Sequence, residues 1–164
     1  MKTLLVLRHA KSSWNERGLT DHDRPLNERG ERDAPRVGVL VHQQHLTPDA
    51  IISSDAVRAR MTAEAVAAAA GYGGEIQLEP LLYHASPDDI LVVLRATPDP
   101  NANTVMIVGH NPGLEGLVAQ LTGEAQGLPT AALAHIVLSI DRWRDLDGSA
   151  SGTLVDLWRP KELE

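Results

Sequence analysis

The order of short apolar runs and helix-start signals predicts an α/β chain. The expected architecture is three-layered, α/β/α, with a mostly parallel central sheet and helices on both faces. Two observations carry this. Strand-length runs such as Thr3–Leu7 and Thr104–Val108 are apolar without alternation, as strands covered on both faces must be. Between such runs lie longer segments that open on helix-capping residues. A third observation bounds the answer: 164 residues suit one domain, 1–164.

Each element has its own signal. Thr3–Leu7 is the first strand, followed by a polar loop from Lys11 to Pro25. Asn27 is placed to cap a helix running to about His45, with Val37, Leu40 and Val41 as its apolar positions. Ala50–Ile52 forms a second strand ending in Ser53-Ser54, and Asp55 is read as the cap of a helix through about Ala70. Gly71 suits the end of that helix. Ile76–Leu78 is a third strand. Ser86-Pro87-Asp88-Asp89 combines a cap, a proline at the first helical position and the acid of a capping box. After Thr104–Val108, Asn111-Pro112 opens another helix by similar logic. Ala134–Ile140 and Gly152–Leu157 read as two strands around a turn.

Composition narrows the function classes. Phe is absent and aromatics total 3%, so Leu, Val, Ile and Ala must fill the core. A net charge of −7 argues against nucleic acid or an anionic membrane surface as the main partner. A locally positive pocket for a small anion remains compatible with it. The lack of cysteine removes disulfides, thiol nucleophiles and thiolate metal sites. The N-terminal apolar run is cut short by Arg8, and no stretch reaches the roughly 20 residues of a membrane span. A cytoplasmic monomer is expected.

In parallel sheets, ligands bind at the carboxyl ends of the strands. Here the first strand ends in Arg8-His9, the second leads into the helix that carries Arg58, and the fourth ends in Gly109-His110 before a helix. If these strands are neighbours, two guanidiniums, two imidazoles and a helix N-terminus converge. Arginine presents a planar fork that stays charged, and a helix start adds backbone donors. Two unit charges about 4 Å apart interact by about 4 kcal/mol at an effective dielectric of 20, so two arginines favour a phosphoryl dianion. A neutral imidazole is a competent nucleophile near pH 7. His9 is the candidate nucleophile, Arg8 and Arg58 the phosphate ligands, and His110 a stabiliser of the transferring oxygens. No metal or cofactor is required.

These residues fall in four stretches: Leu7-Arg8-His9-Ala10-Lys11-Ser12-Ser13-Trp14-Asn15; Arg24-Pro25-Leu26-Asn27-Glu28-Arg29-Gly30; Ser53 to Ala63; and Val108 to Gly113. In order and spacing they resemble the motifs of the histidine phosphatase superfamily. The short length and the Arg-Pro-Leu element look like its SixA-type phosphohistidine phosphatase branch. The resemblance implies a phosphoglycerate mutase-like fold, phosphorylation of His9, and a phosphate held by Arg8, Arg58 and His110. It also places Arg24 and Asn15 in the substrate pocket. Ala10 stands where most of the superfamily has glycine. The glutamate that many members carry near the middle helix is missing, and Tyr83-His84-Ala85-Ser86 occupies that stretch.

An alkoxide leaving group benefits from a general acid, whereas an imidazole accepts a proton readily. The missing acid therefore favours phosphohistidine on a protein as substrate, with Asp88, Asp89 or His84 as the remaining proton donors. Two rivals stand beside this reading: a phosphomonoesterase for a sugar or nucleotide phosphate, and a non-catalytic phosphate-binding module. Blander readings cover the other polar residues. His42 and His45 read as a solvated helix face, Asp21-His22-Asp23 as a polar, mobile substrate loop, and Trp14, Trp143 and Trp158 as packing residues.

Overall fold

The computed structural model describes residues 1–15 and 17–163. Its strands are β1 (Lys2–Arg8), β2 (Ala50–Ser53), β3 (Ile76–Leu78), β4 (Thr104–Gly109), β5 (Leu133–Leu138) and β6 (Gly152–Trp158). The helices are α1 (Glu28–Gln43), α2 (Val57–Ala70), α3 (Pro87–Ala96) and α4 (Gly113–Thr122). The strands form one sheet in the order β3-β2-β4-β1-β5-β6. The pairs β3–β2, β2–β4 and β4–β1 are parallel, whereas β5 runs against both β1 and β6.

Side-chain alternation divides the core between the two faces of the sheet. Leu4, Val6, Ile52, Val105 and Ile107 face one cluster, which includes Ile90 and Leu94 of α3 and Leu114 and Leu117 of α4. Leu5, Leu7, Ile51, Met106 and Val108 face the other, with Val37 and Val41 of α1 and Ala59, Ala63 and Val66 of α2. Strands apolar at every position are thus explained by helices on both sides. Small residues let α1 and α2 approach closely: a Cβ on Gly38 would collide with Ala69 and with the Val66 carbonyl.

Helix starts follow the cap chemistry in two cases. Asn27 accepts a hydrogen bond from Gly30 N at 2.9 Å, and Ser86 and Asp89 form the reciprocal capping box of α3. Two expectations need correction. Asp55 does not cap α2: Ala56 holds the cap position without a side-chain bond, because the Asp55 carboxylate is paired with His22 at 3.0 Å. Asn111 stands just outside α4, with Pro112 in the cap position, and its side chain bonds Glu115 and the Leu128 carbonyl.

The β5–β6 connection is also longer than a turn. β5 ends at Leu138, and the intervening chain contains a single 3₁₀ turn at Trp143–Asp145. Burial of Trp143, whose ring N–H donates to the Ala102 carbonyl at 2.7 Å, holds that segment against α3 and the chain entering β4. Among the described residues, no helix is long and apolar enough to cross a membrane.

Candidate active site

Strand adjacency assembles the site. β1 and β4 are in register with Arg8 opposite Gly109, so the residues that follow, His9 and His110, emerge side by side with ring centroids 5.1 Å apart. On the other flank of β4, Ser54 N donates to the Val108 carbonyl at 2.9 Å, and α2 then brings in Arg58. Arg8, His9, Arg24, Arg58 and His110 line one open pocket of about 480 Å³. Asn15 does not join them. It is exposed and lines a separate groove beside Asn27 and Arg29. The Ser12–Leu26 bridge and the Ser13 N bond to the Pro25 carbonyl clamp the loop only as far as Ser13, and Asn15 lies beyond that clamp.

His9 is buried, with Nδ1 2.8 Å from the Ala10 carbonyl. A carbonyl only accepts, so in the neutral ring Nδ1 carries the hydrogen and Nε2 holds the free lone pair. Burial pushes the His9 pKa down to about 4; the Ala10 hydrogen bond opposes this, and Arg58, Arg8 and Arg24 add to it. His110 is pushed down to about 3, by burial first and then by His9, Arg58 and His84. Its Nδ1 lies 3.5 Å from Arg58 Nη2, which can only donate, so its Nε2–H points to Ser54 Oγ at 2.8 Å. Both imidazoles are therefore neutral near pH 7, and His9 presents a nucleophilic nitrogen. Ala10 adopts no left-handed backbone, and its N–H donates to Thr62 Oγ1 at 2.9 Å, so alanine is accommodated at that position.

The residue that organises the arginines is Asp21, which sequence reasoning placed in a loose polar loop. Arg58 donates from Nη1 to the Asp21 carbonyl at 2.7 Å and from Nη2 to Oδ2 at 3.1 Å. Arg24 donates from Nε to Asp21 Oδ1 at 3.1 Å, and from Nη1 to Ser12 Oγ at 2.8 Å. Tyr83 OH completes the set at 2.6 Å from Oδ2. The Tyr83 hydrogen bond and the two arginines hold the Asp21 carboxyl well below the usual carboxylate range, so it stays ionised. His22 next to it is clasped to Asp55 of the α2 start, and that bond raises its pKa. The one available sequence signal was the acid three residues before Arg24.

Other expectations resolve as follows. Asp88 and Asp89 do not line the pocket, and Asp89 is held by the Ser86 cap. His84 does line it, on a left-handed backbone with φ of 56° and its ring against Tyr83. The first-turn amides Leu114 N, Glu115 N and Gly116 N of α4 bond residues 110, 111 and 112, so an anion here depends chiefly on side-chain donors. Arg8 Nη1 donates to the Leu128 carbonyl at 3.0 Å. The Nε groups of Arg8 and Arg58 are buried without a partner among the described residues. Unpaired buried donors cost about 1–3 kcal/mol each, which an anion between these guanidiniums would offset in part. Among the described residues no group of three His, Asp or Glu is placed to hold a metal ion.

Two predictions follow from these contacts. Asp21→Asn should lower kcat/KM for a phosphorylated substrate by about tenfold, because a charge-assisted bond contributes about 1.5–3 kcal/mol to holding each guanidinium. A rise instead would show that the carboxylate competes with the phosphoryl group for Arg58. The second concerns acid. In the unfolded chain both histidines take up protons as pH falls through about 6.5. In the folded chain they resist until about 4 and 3. The unfolded state thus binds more protons in that window, and stability is lost as pH falls from 6.5. Thermal melts from pH 7 to 4 should show a falling Tm, with a shallower fall in His110→Asn. Equal slopes would contradict this.

Residues 4–85 match the model of the histidine phosphatase superfamily, branch 1. An uncharacterized chloroplastic protein of Arabidopsis thaliana is 32% identical over 152 residues, covering 88% of this chain and 70% of that one. A crystal structure from Agrobacterium tumefaciens, assigned as the phosphohistidine phosphatase SixA, is 31% identical with a TM-score of 0.82, over 97% of this chain and 98% of that one. A protein histidine phosphatase SixA complexed with tungstate superposes with a TM-score of 0.84 over 99% of both chains, at 22% identity. The architecture is the phosphoglycerate mutase-like α/β fold, and the chain belongs to branch 1 of the histidine phosphatase superfamily.

Proposed function

We propose that this chain hydrolyses phosphohistidine on a protein by way of a phosphoryl group carried on His9. The observation that carries the reading is the His9 imidazole, neutral and fixed by the Ala10 carbonyl with Nε2 free, in a pocket lined by three arginines. In the first step the Nε2 lone pair attacks phosphorus and the substrate's P–N bond breaks. Its electron pair goes to the leaving imidazole, which takes a proton from solvent water. In the second step water attacks phosphorus and gives up a proton to solvent, the P–Nε2 bond breaks, the pair returns to His9, and inorganic phosphate leaves. Arg8 and Arg58 balance the charge on the equatorial oxygens throughout.

The acids of the site support an N–P bond over an ester. Asp21 stays ionised and has no proton to give, and Asp88 and Asp89 lie outside the pocket. A leaving imidazole needs less help than an alkoxide. The similarity to the SixA structure from Agrobacterium tumefaciens points the same way. The reading includes a cytoplasmic monomer that acts without metal or cofactor, since the arginines supply the positive charge. A second reading, a phosphomonoesterase for small esters, has one observation in its favour: His84 lines the pocket and is placed to protonate a leaving oxygen.

Competition decides between them. A phosphohistidine-bearing protein and a panel of sugar and nucleotide phosphates are offered together, the reaction is quenched into alkali, and phosphoenzyme and products are followed by phosphorus NMR. Faster turnover of the phosphohistidine protein is expected. Faster ester hydrolysis would reject this substrate, and phosphate binding without any turnover would reject the enzyme.

A further inference from the structure

Trp14 does not behave as a packing residue. Trp143 is buried and bonded, but Trp14 is 72% exposed, and it lines the same pocket as His9. Single exposed apolar side chains are common; what distinguishes this one is its backing. The Arg24 guanidinium carbon lies 3.4 Å from the centre of the indole. Arg24 is itself buried and locked by Asp21, Ser12 and the Ser13 carbonyl, so it does not need the indole to hold it in place. One face of the ring is therefore fixed against a rigid cation, and the rest is open at the lip of the phosphate pocket.

We infer that Trp14 is a specificity-determining residue: the planar ring of the leaving group lies on its indole while the phosphoryl group sits between Arg8 and Arg58. This rests on the phosphohistidine reading above and extends it to how the pocket tells an imidazole from a substrate without a ring. An aromatic ring stacks in offset fashion on an indole at centroid separations of about 4.5–7 Å. The imidazole ring is planar and is bonded directly to the tetrahedral phosphorus, which suits a platform beside the nucleophile. An alkyl leaving group gains far less from the same surface.

The test uses two matched pairs, phosphoimidazole against phosphoramidate and phenyl phosphate against ethyl phosphate. Each pair differs in the ring, and comparing variant with wild type cancels the difference in leaving-group basicity. In Trp14→Ala the ring-to-ringless ratio of kcat/KM should fall about tenfold, mainly through a higher KM for the ring substrate. Trp14→Phe should restore most of that ratio. Equal losses on both members of each pair would overturn the inference and show that Trp14 acts only by holding Arg24. An unchanged ratio would overturn it as well. If the wild type fails to cleave either P–N compound while hydrolysing esters, the phosphohistidine reading falls, and the ester pair still decides the platform.

Discussion

His9→Ala should abolish covalent labelling and reduce turnover by at least about 10⁴-fold. The reason is positional as much as chemical. The Nε2 atom has its lone pair free because Nδ1–H is held by the Ala10 carbonyl, and no other described nitrogen in the pocket is presented in this way. His110 has its Nε2–H engaged with Ser54 and its Nδ1 lone pair turned to Arg58, so it cannot attack without giving up the Arg58 contact. His84 is the other imidazole lining the pocket, and its ring rests against Tyr83. Rapid mixing with a radiolabelled phosphoryl donor, followed by an alkaline quench, reads the phosphoenzyme directly. Label retained in the alanine variant would move the nucleophile elsewhere and undo the mechanism.

Arg58→Ala should weaken binding of inorganic phosphate and lower kcat/KM by about 10²–10³-fold, as expected for removal of a preorganised donor to developing charge. Arg58 is buried at 4% exposure and contacts both Asp21 and His110. Removing it therefore takes away a proposed phosphate ligand and leaves Asp21 with fewer donors. Lysine should rescue poorly, because a point charge cannot reproduce the two-pronged contact. Because Arg58 and Asp21 touch, Arg58→Ala combined with Asp21→Asn should cost less than the sum of the two separate losses. Additive losses would show that Asp21 does not act through Arg58. Steady-state kinetics together with phosphate titration calorimetry measure both terms.

The strand ends were legible from sequence because strand burial and sheet polarity are strong constraints. An apolar run followed at once by Arg8-His9, and another followed by Gly109-His110, have few other places to point in a parallel sheet. Helix caps were legible where the side chain had no competing partner, as at Asn27 and Ser86. They misled at Asp55, whose carboxylate is drawn to His22 of a distant loop. Asp21 escaped notice for the same reason. Its importance comes from Arg58, 37 positions away, and Tyr83, 62 positions away, and no local pattern encodes those meetings. Asn15 shows the opposite case: it ends a matching motif, but the clamp on the loop stops at Ser13, and Asn15 lines a groove apart from the His9 pocket.

The segment between α4 and β5 carries none of the side chains proposed to be catalytic, yet it supports the strand that leads to His9. Ala131, with φ of 62°, donates its N–H to the Arg8 and His9 carbonyls, Arg8 N donates to the Ala132 carbonyl, and the Leu128 carbonyl takes both Arg8 and Asn111. Lesions mapped to 128–132 would therefore mimic loss of chemistry while leaving every reacting group intact. A mutational scan read by sequence position alone would assign catalysis to residues that only brace it, whereas the exposed stretch 123–125 just before them should absorb insertions quietly.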